Sequence, residues 1–94
     1  MHVRWLRAAL AKLDAEAEFI ANDNPTAAVN TVTAIVSAVD RLKNYPALGR
    51  PGRVTGTREL VVSGTPYIVP YRVRAGTVEI IRVFHGGRKW PEQF

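Results

Sequence analysis

Four arginines and one histidine are the residues of this chain whose types and spacing could do chemistry: Arg58, Arg72, Arg82 and Arg88, with His85 just ahead of Gly86-Gly87. A guanidinium presents a planar fork of N–H donors that fits a phosphate or a carboxylate and stays charged at any working pH. A histidine titrates near neutrality and can move a proton. Such a set suits metal-free RNA cleavage, in which cations stabilise a crowded phosphate while the 2′-hydroxyl attacks. Arg82 interrupts the apolar run Val78–Phe84, and an arginine there must find an anion or solvent. Either it pairs with Glu59 or Glu79 across the sheet, or it converges with Arg58, Arg72 and Arg88 at one edge of a concave face. His85 also has two readings, a structural hydrogen-bonding residue or a general acid/base. Ordinary hydrolase sets are missing: no Ser-His-Asp or Cys-His group can be assembled, and no carboxylate pair accompanies the apolar runs.

Charge is partitioned along the chain. In residues 1–44, five Lys/Arg (Arg4, Arg7, Lys12, Arg41, Lys43) balance five acids (Asp14, Glu16, Glu18, Asp23, Asp40). In residues 45–94, eight (Arg50, Arg53, Arg58, Arg72, Arg74, Arg82, Arg88, Lys89) stand against three (Glu59, Glu79, Glu92), so the second half holds the whole net charge of +5. This asymmetry marks a surface for an anionic partner.

Ninety-four residues with 47% hydrophobic and 22% charged composition suit one globular domain spanning 1–94, with a single core. The chain has no cysteine, which excludes a disulfide frame and a thiolate metal site. His2 and His85 are far apart in sequence, so no metal or cofactor is expected. No apolar run approaches the roughly 20 residues that span a bilayer, and the N-terminus has no continuous apolar segment of the kind that directs export. The expected location is the cytoplasm, with no membrane partner.

The elements that must position the arginines follow from periodicity. Leu6, Leu10, Leu13, Ala17 and Ile20 recur at four-three spacing, one stripe of a helix whose other positions (Arg7, Lys12, Asp14, Glu16, Glu18) are solvated. Asn22-Asp23-Asn24-Pro25 breaks the pattern. Asn24 should cap a second helix and Pro25 should occupy its first turn. That helix carries Ala28, Val32, Ile35, Val39 and Leu42 on one stripe, and Tyr45-Pro46 ends it. The pair reads as an antiparallel helical hairpin joined by about four loop residues. A Gly/Pro-rich loop follows; its Gly49-Arg50-Pro51-Gly52-Arg53 segment is either solvated or in contact with a target. Three strands, Thr57–Val62, Tyr67–Val73 and Thr77–Phe84, then form an antiparallel meander, and Val3–Leu6 can add a short first strand. Pro70, which cannot donate to a ladder, predicts a bulge or a gap in pairing. Gly86-Gly87 turns the chain back so that Trp90 packs on the sheet as an anchor or, on the other reading, offers a stacking platform. The expected fold is α+β, a helical hairpin on one face of a small antiparallel sheet of 3-4 strands in the order (β)ααβββ. On strands alternate residues share a face, so Arg58, Leu60 and Val62 lie on one side of theirs, and Val78, Ile80, Arg82 and Phe84 on one side of the last.

Four blocks of this sequence resemble the RelE/ParE superfamily of type II toxin–antitoxin toxins. They are Tyr45-Pro46-x-x-Gly49-Arg50-Pro51-Gly52, Thr57-Arg58-Glu59-Leu60, Tyr67-Ile68-Val69-x-Tyr71-Arg72-Val73, and Val78-Glu79-Ile80-x-Arg82-Val83-x-His85-Gly86-x-Arg88-x-Trp90-Pro91. The likeness covers essentially the whole chain. It implies a bacterial growth-inhibiting toxin held inactive by a cognate antitoxin, on a fold of two N-terminal helices and a small antiparallel sheet. RelE-type members cut messenger RNA in the ribosome with Lys/Arg clusters and often a Tyr or His near the C-terminus. ParE-type members poison DNA gyrase and have no evident catalytic set. Ile68 stands where the nucleases commonly carry an arginine, and Leu60 and Val61 where more basic residues would be expected. The resemblance therefore favours the ParE branch, with no catalytic residues. The alternatives are a RelE-like nuclease using Arg58, Arg82, His85 and Arg88, or a non-toxic module that only binds the antitoxin.

On this reading the target meets Arg50, Arg53, Arg58, Arg72, Arg82, His85, Arg88, Lys89 and Trp90. A basic sheet face and apolar grooves beside the hairpin suit an acidic, partly disordered antitoxin segment that folds on binding, as a helix in a groove or a strand on an edge. Its contacts are expected at Leu13, Ala17, Ile20, Arg58, Arg72 and Arg82, in a hetero-oligomer of toxin and antitoxin.

Overall fold

The structure, a computed structural model, describes residues 1–87 and Trp90. Strand β1 (His2–Trp5) leads into helix α1 (Arg7–Asp23) and helix α2 (Pro25–Asp40), which tightens into a 3-10 turn over Arg41–Lys43. Then come β2 (Arg50–Pro51), β3 (Arg58–Val61), β4 (Tyr67–Arg74), β5 (Thr77–Ile80) and β6 (Phe84–His85). The order across the sheet is β1-β5-β4-β3-β2, with β6 also beside β4. The α+β architecture and the helical pair followed by a meander are as expected. The sheet is larger and mixed: β1 runs parallel to β5, pairing Val3 with Val78 and Trp5 with Ile80. A parallel neighbour needs a long crossover, and α1, α2 and the meander supply it.

The helices are joined more tightly than expected. Asn22 and Asp23 continue α1, leaving Asn24 alone between the helices. Its extended backbone (φ −151°, ψ 92°) lets its N–H close α1 on the Ile20 carbonyl at 2.9 Å. Its side-chain oxygen meanwhile accepts from Ala27 N at 3.0 Å, capping α2. A cap of this kind stabilises by about 1 kcal/mol, and Pro25 sits at the start of α2 where its missing N–H costs nothing.

The core lies between the helices and one sheet face, where Ala9, Leu13, Ile35, Val39 and Leu42 meet Leu60, Val62, Tyr67, Val69, Tyr71, Val78, Ile80 and Val83. The α2 stripe is the one its spacing predicts. In α1 the buried stripe is rotated: Ala9, Leu13 and Glu16 face inward, while Leu10 is 46% exposed. The small Ala9 permits that approach. Glu16, expected in solvent, is buried beside Lys12, whose ammonium lies 3.4 Å from its carboxylate. No helix among the described residues is long and apolar enough to cross a membrane.

The break expected at Pro70 is present. Ile80 faces Tyr71 and Phe84 faces Ile68, so residues 81–83 stand opposite only Val69 and Pro70. The Pro70 carbonyl accepts from Ile81 N at 3.0 Å. A residue's N–H points to the same side of a strand as its C=O, so the donor that proline lacks would have faced this segment. One extra residue is accommodated there as a bulge, and the strand expected through Phe84 is split into β5 and β6.

Candidate functional site

Alternation along β4 turns Tyr67, Val69 and Tyr71 toward the helices and Ile68, Pro70 and Arg72 toward the uncovered face. Register then builds two cross-strand rows on that face. One runs Arg4, Glu79, Arg72 over β1, β5 and β4. The other runs Pro70, Glu59, Arg50 over β4, β3 and β2. In the first row the carboxylate of Glu79 sits between two arginines; in the second Glu59 sits between Pro70 and Arg50.

Glu59 is almost wholly buried, 3% exposed. Its Oε1 accepts from Arg50 Nε at 3.2 Å and Nη2 at 3.1 Å, and from Arg53 Nη2 at 3.4 Å. Its Oε2 accepts from the Arg53 backbone N–H at 2.9 Å and Arg53 Nε at 3.0 Å. Burial alone would push this carboxyl up. The Arg53 backbone and side-chain bonds and the Arg50 bond outweigh it and hold Glu59 below its ordinary value. Glu79 accepts from Arg72 Nε at 2.7 Å, with Arg74 Nε at 3.8 Å. The Arg72 bond lowers its carboxyl, burial opposes, and the charges of Arg72, Arg74 and Arg4 add to the lowering.

An aromatic stack lies beside the Glu59 row. Arg53 Cζ sits 3.6 Å from the centre of the Trp90 ring, a cation–π contact. Trp90 packs on Phe84 with ring centroids 4.6 Å apart and planes 34° apart. The anchoring expected of Trp90 is thus realised on the uncovered face. Its buried indole N–H has no hydrogen-bond partner among the described residues.

The arginines do not gather on one face. Arg58 pairs with Tyr71 and so lies on the helix side, where its Nη1 donates to the Gly49 carbonyl at 2.8 Å. Arg72 is on the opposite face, engaged with Glu79. Arg82 lies in the bulge and donates from Nη1 to the Ile81 carbonyl at 2.8 Å; Glu59 and Glu79 are held by other arginines. Arg88 and Lys89 lie outside the described residues. His85 pairs with Tyr67, their rings edge-on at 5.6 Å and 79°. Its Nδ1 accepts from Gly87 N at 3.1 Å, which in the neutral ring places the proton on Nε2. Of the residues expected at an antitoxin, Leu13 is buried in the core and Ile20 packs half-buried against it. Ala17 lines an apolar groove of about 520 Å³ along the hairpin with Ala21, Ala28, Val29 and Val32.

Two residues organise the site in roles not expected from the sequence. Tyr71 is fully buried, yet its hydroxyl donates to the Pro46 carbonyl at 2.6 Å and accepts from Gly49 N at 2.8 Å. Burial raises its phenol above the ordinary value, while the Gly49 bond and the Arg58 charge pull the other way. The phenol straps the 46–49 loop over the sheet end. The other is Glu59, which gathers the loop arginines. The signals were a phenol at a core-facing position and an acid six residues after Arg53.

A second groove, of about 560 Å³, opens between α2 and β3, lined by Ala34, Ala38, Arg41, Leu48, Val61 and Ser63 among others. Strand β2 reaches only Arg58 and Glu59. Among the described residues, therefore, no strand lies along the outer edge of Leu60–Ser63. Val61 and Leu48 are 51% and 44% exposed there. Among the described residues no group of three or more His, Asp or Glu is placed to hold a metal ion.

Comparison with known proteins places this geometry. The sequence model described as "ParE toxin of type II toxin-antitoxin system, parDE" matches residues 3–90. The chain belongs to the ParE toxin family. It is 48% identical over 90 residues to the Sinorhizobium fredii protein Y4kP, named as a candidate toxin, covering 96% of this chain and 93% of that protein. To Toxin RelE2 of Caulobacter vibrioides it is 40% identical over 86 residues, 92% of this chain and 96% of that one. Among solved structures it superposes on a chain of the chromosomal ParDE system of P. aeruginosa with a TM-score of 0.83 and 32% identity, over 90% of this chain and 95% of the other. The toxin–antitoxin complex RelBE2 of Mycobacterium tuberculosis gives 0.62 and 27%, over 89% and 95%. As a ParE-family toxin, this chain carries an uncovered sheet face knitted by two arginine–carboxylate rows, and an open sheet edge beside α2.

Proposed function

We propose that this ParE-family toxin, working as one domain over residues 1–94 in the cytoplasm, halts growth by binding and poisoning DNA gyrase, and that a cognate antitoxin silences it by direct contact. The observation that carries this reading is the engagement of the guanidinium groups. Arg50 and Arg53 close on Glu59, Arg72 and Arg74 flank Glu79, and Arg58 and Arg82 hold carbonyls. A metal-free nuclease works through cations aimed at the scissile phosphate. These cations are instead spent within the fold, which favours a contact surface over a catalytic one. The target surface on this reading is the uncovered face, with Arg50, Arg53, Arg72 and Trp90 beside Ile68 and Phe84. Arg88 and Lys89 extend it in sequence.

The antitoxin occupies the groove between α2 and β3. An extended acidic segment there can add a strand to the Leu60–Ser63 edge, place apolar side chains against Val61 and Leu48, and meet Arg41 with its carboxylates. Ala17 and Ile20 offer a further contact along the hairpin.

The test is induced expression with and without the antitoxin, followed by gyrase supercoiling and ribosomal RNA-cleavage assays side by side. Blocked supercoiling with intact messenger RNA is the expected result. Codon-dependent cuts would transfer the assignment to a nuclease built on Arg58, Arg82, His85 and Arg88. Neither effect, with antitoxin binding intact, would leave a non-toxic binding module.

A further inference from the structure

We infer that Glu59 and Glu79 are built-in anions that keep the uncovered sheet face from taking up nucleic-acid phosphates. A guanidinium fork accepts a carboxylate and a phosphate with the same geometry. Glu59 receives five N–H···O contacts from Arg50 and Arg53, which saturates the acceptor sites a carboxylate has. It therefore stands where an incoming phosphate would stand, and its burial at 3% exposure keeps it there. Glu79 does the same for Arg72, with Arg74 and Arg4 adding their charge.

The need for such a device follows from the net charge of +5, all of it in the second half of the chain. A patch of free arginines of that size binds any nucleic acid nonspecifically, with dissociation constants of roughly 10⁻⁴–10⁻⁶ M at physiological salt. A toxin trapped on bulk RNA or DNA would reach a protein partner slowly. Each carboxylate holds at least two arginines, so the rows keep a surplus of positive charge for an acidic protein surface while denying a polyanion its bidentate sites. The inference does not depend on which protein is the target.

The experiment measures anisotropy of a short labelled single-stranded RNA, and of a DNA duplex, with the purified full chain. Wild type is compared with Glu59→Gln, Glu79→Gln and the double variant. A control, Asp14→Asn with Asp23→Asn, makes the same net-charge change as the double variant at exposed positions on α1. The double variant should bind at least about tenfold tighter than the control. Its logarithmic salt slope on RNA should steepen by roughly 0.7 for each freed guanidinium. A folded double variant that binds no tighter than the control overturns the inference, as does wild type binding as tightly as the double variant. Should Glu59→Gln fail to fold, as judged by circular dichroism, Glu79→Gln alone decides, against Asp14→Asn. No gyrase or antitoxin enters the assay, so its outcome is separate from that of the supercoiling test.

Discussion

The hydroxyl of Tyr71 meets the backbone N–H of Gly49 at 2.8 Å, across 22 residues of sequence. The same hydroxyl donates to Pro46, so one phenol satisfies both ends of the loop that delivers Arg50 and Arg53 to Glu59. A Cβ at Gly49 would stand 2.6 Å from Tyr71 Cε1 and 2.7 Å from its oxygen, which explains a glycine at that place.

Tyr71→Phe should therefore cost about 1–3 kcal/mol, because it leaves the buried Gly49 N–H without an acceptor. Gly49→Ala should cost a similar amount, roughly 1–3 kcal/mol, through overpacking. The two losses should not add, since both break the same contact. Urea denaturation of the three variants checks this; a Tyr71→Phe midpoint equal to wild type would mean the strap holds nothing.

Acid should unfold the protein through its sheet carboxylates. Glu59 and Glu79 both have folded-state values below their ordinary 4.5. A depressed carboxyl contributes stability that is fully present above the unfolded value and is lost as pH falls through the folded one. Stability at constant salt should be flat above about pH 5 and fall below about pH 4. Glu79→Gln should flatten that fall. An acid limb unchanged in this variant would remove Glu79 from the account.

The turn between β4 and β5 contains a misfit. Ala75 has φ of 51° and Gly76 of 74°, the left-handed pair of a two-residue hairpin loop in which Asn-Gly is favoured. An alanine there bears the steric penalty that asparagine tolerates. Ala75→Asn should raise stability by about 0.5–1 kcal/mol, visible as a later thermal midpoint. A lower midpoint would contradict the strain.

Antitoxin binding can be tested at one position with little expected cost to the fold. Val61 is exposed on the α2–β3 groove and alternates away from its buried neighbours Leu60 and Val62. Val61→Asp should weaken a complex with the acidic antitoxin by at least about tenfold, or about 1.4 kcal/mol, while the unfolding midpoint stays within about 0.5 kcal/mol of wild type. Calorimetric titration gives the answer; unchanged affinity would place the antitoxin elsewhere.

Much of this architecture was legible in the residues, and the failures have physical causes. The Asn24 cap, the α2 stripe and the break at Pro70 follow from local chemistry that tertiary packing did not override. The parallel pairing of β1 with β5 left no trace, because a parallel neighbour is joined by no tight turn. The side on which Arg58 lies was open to deduction: it alternates with Leu60 and Val62, both buried, and so had to face the helices. Arg82 was different. Uniform alternation placed it with Val78 and Ile80, and only the added residue opposite Pro70 releases it. The roles of Glu59 and Glu79 depend on cross-strand register, which one sequence does not fix.

The seam at residues 81–83 has a consequence for the tail of the chain. By slipping the count by one, it turns Phe84 outward to receive Trp90 and turns His85 inward onto Tyr67. Removing a single residue from that seam would turn the terminal ribbon inside out. Imidazole and phenyl would trade sides, and the indole and the arginine clasped to it would lose their seat. A proline with no hydrogen to give thus decides which aromatic the toxin shows to the outside.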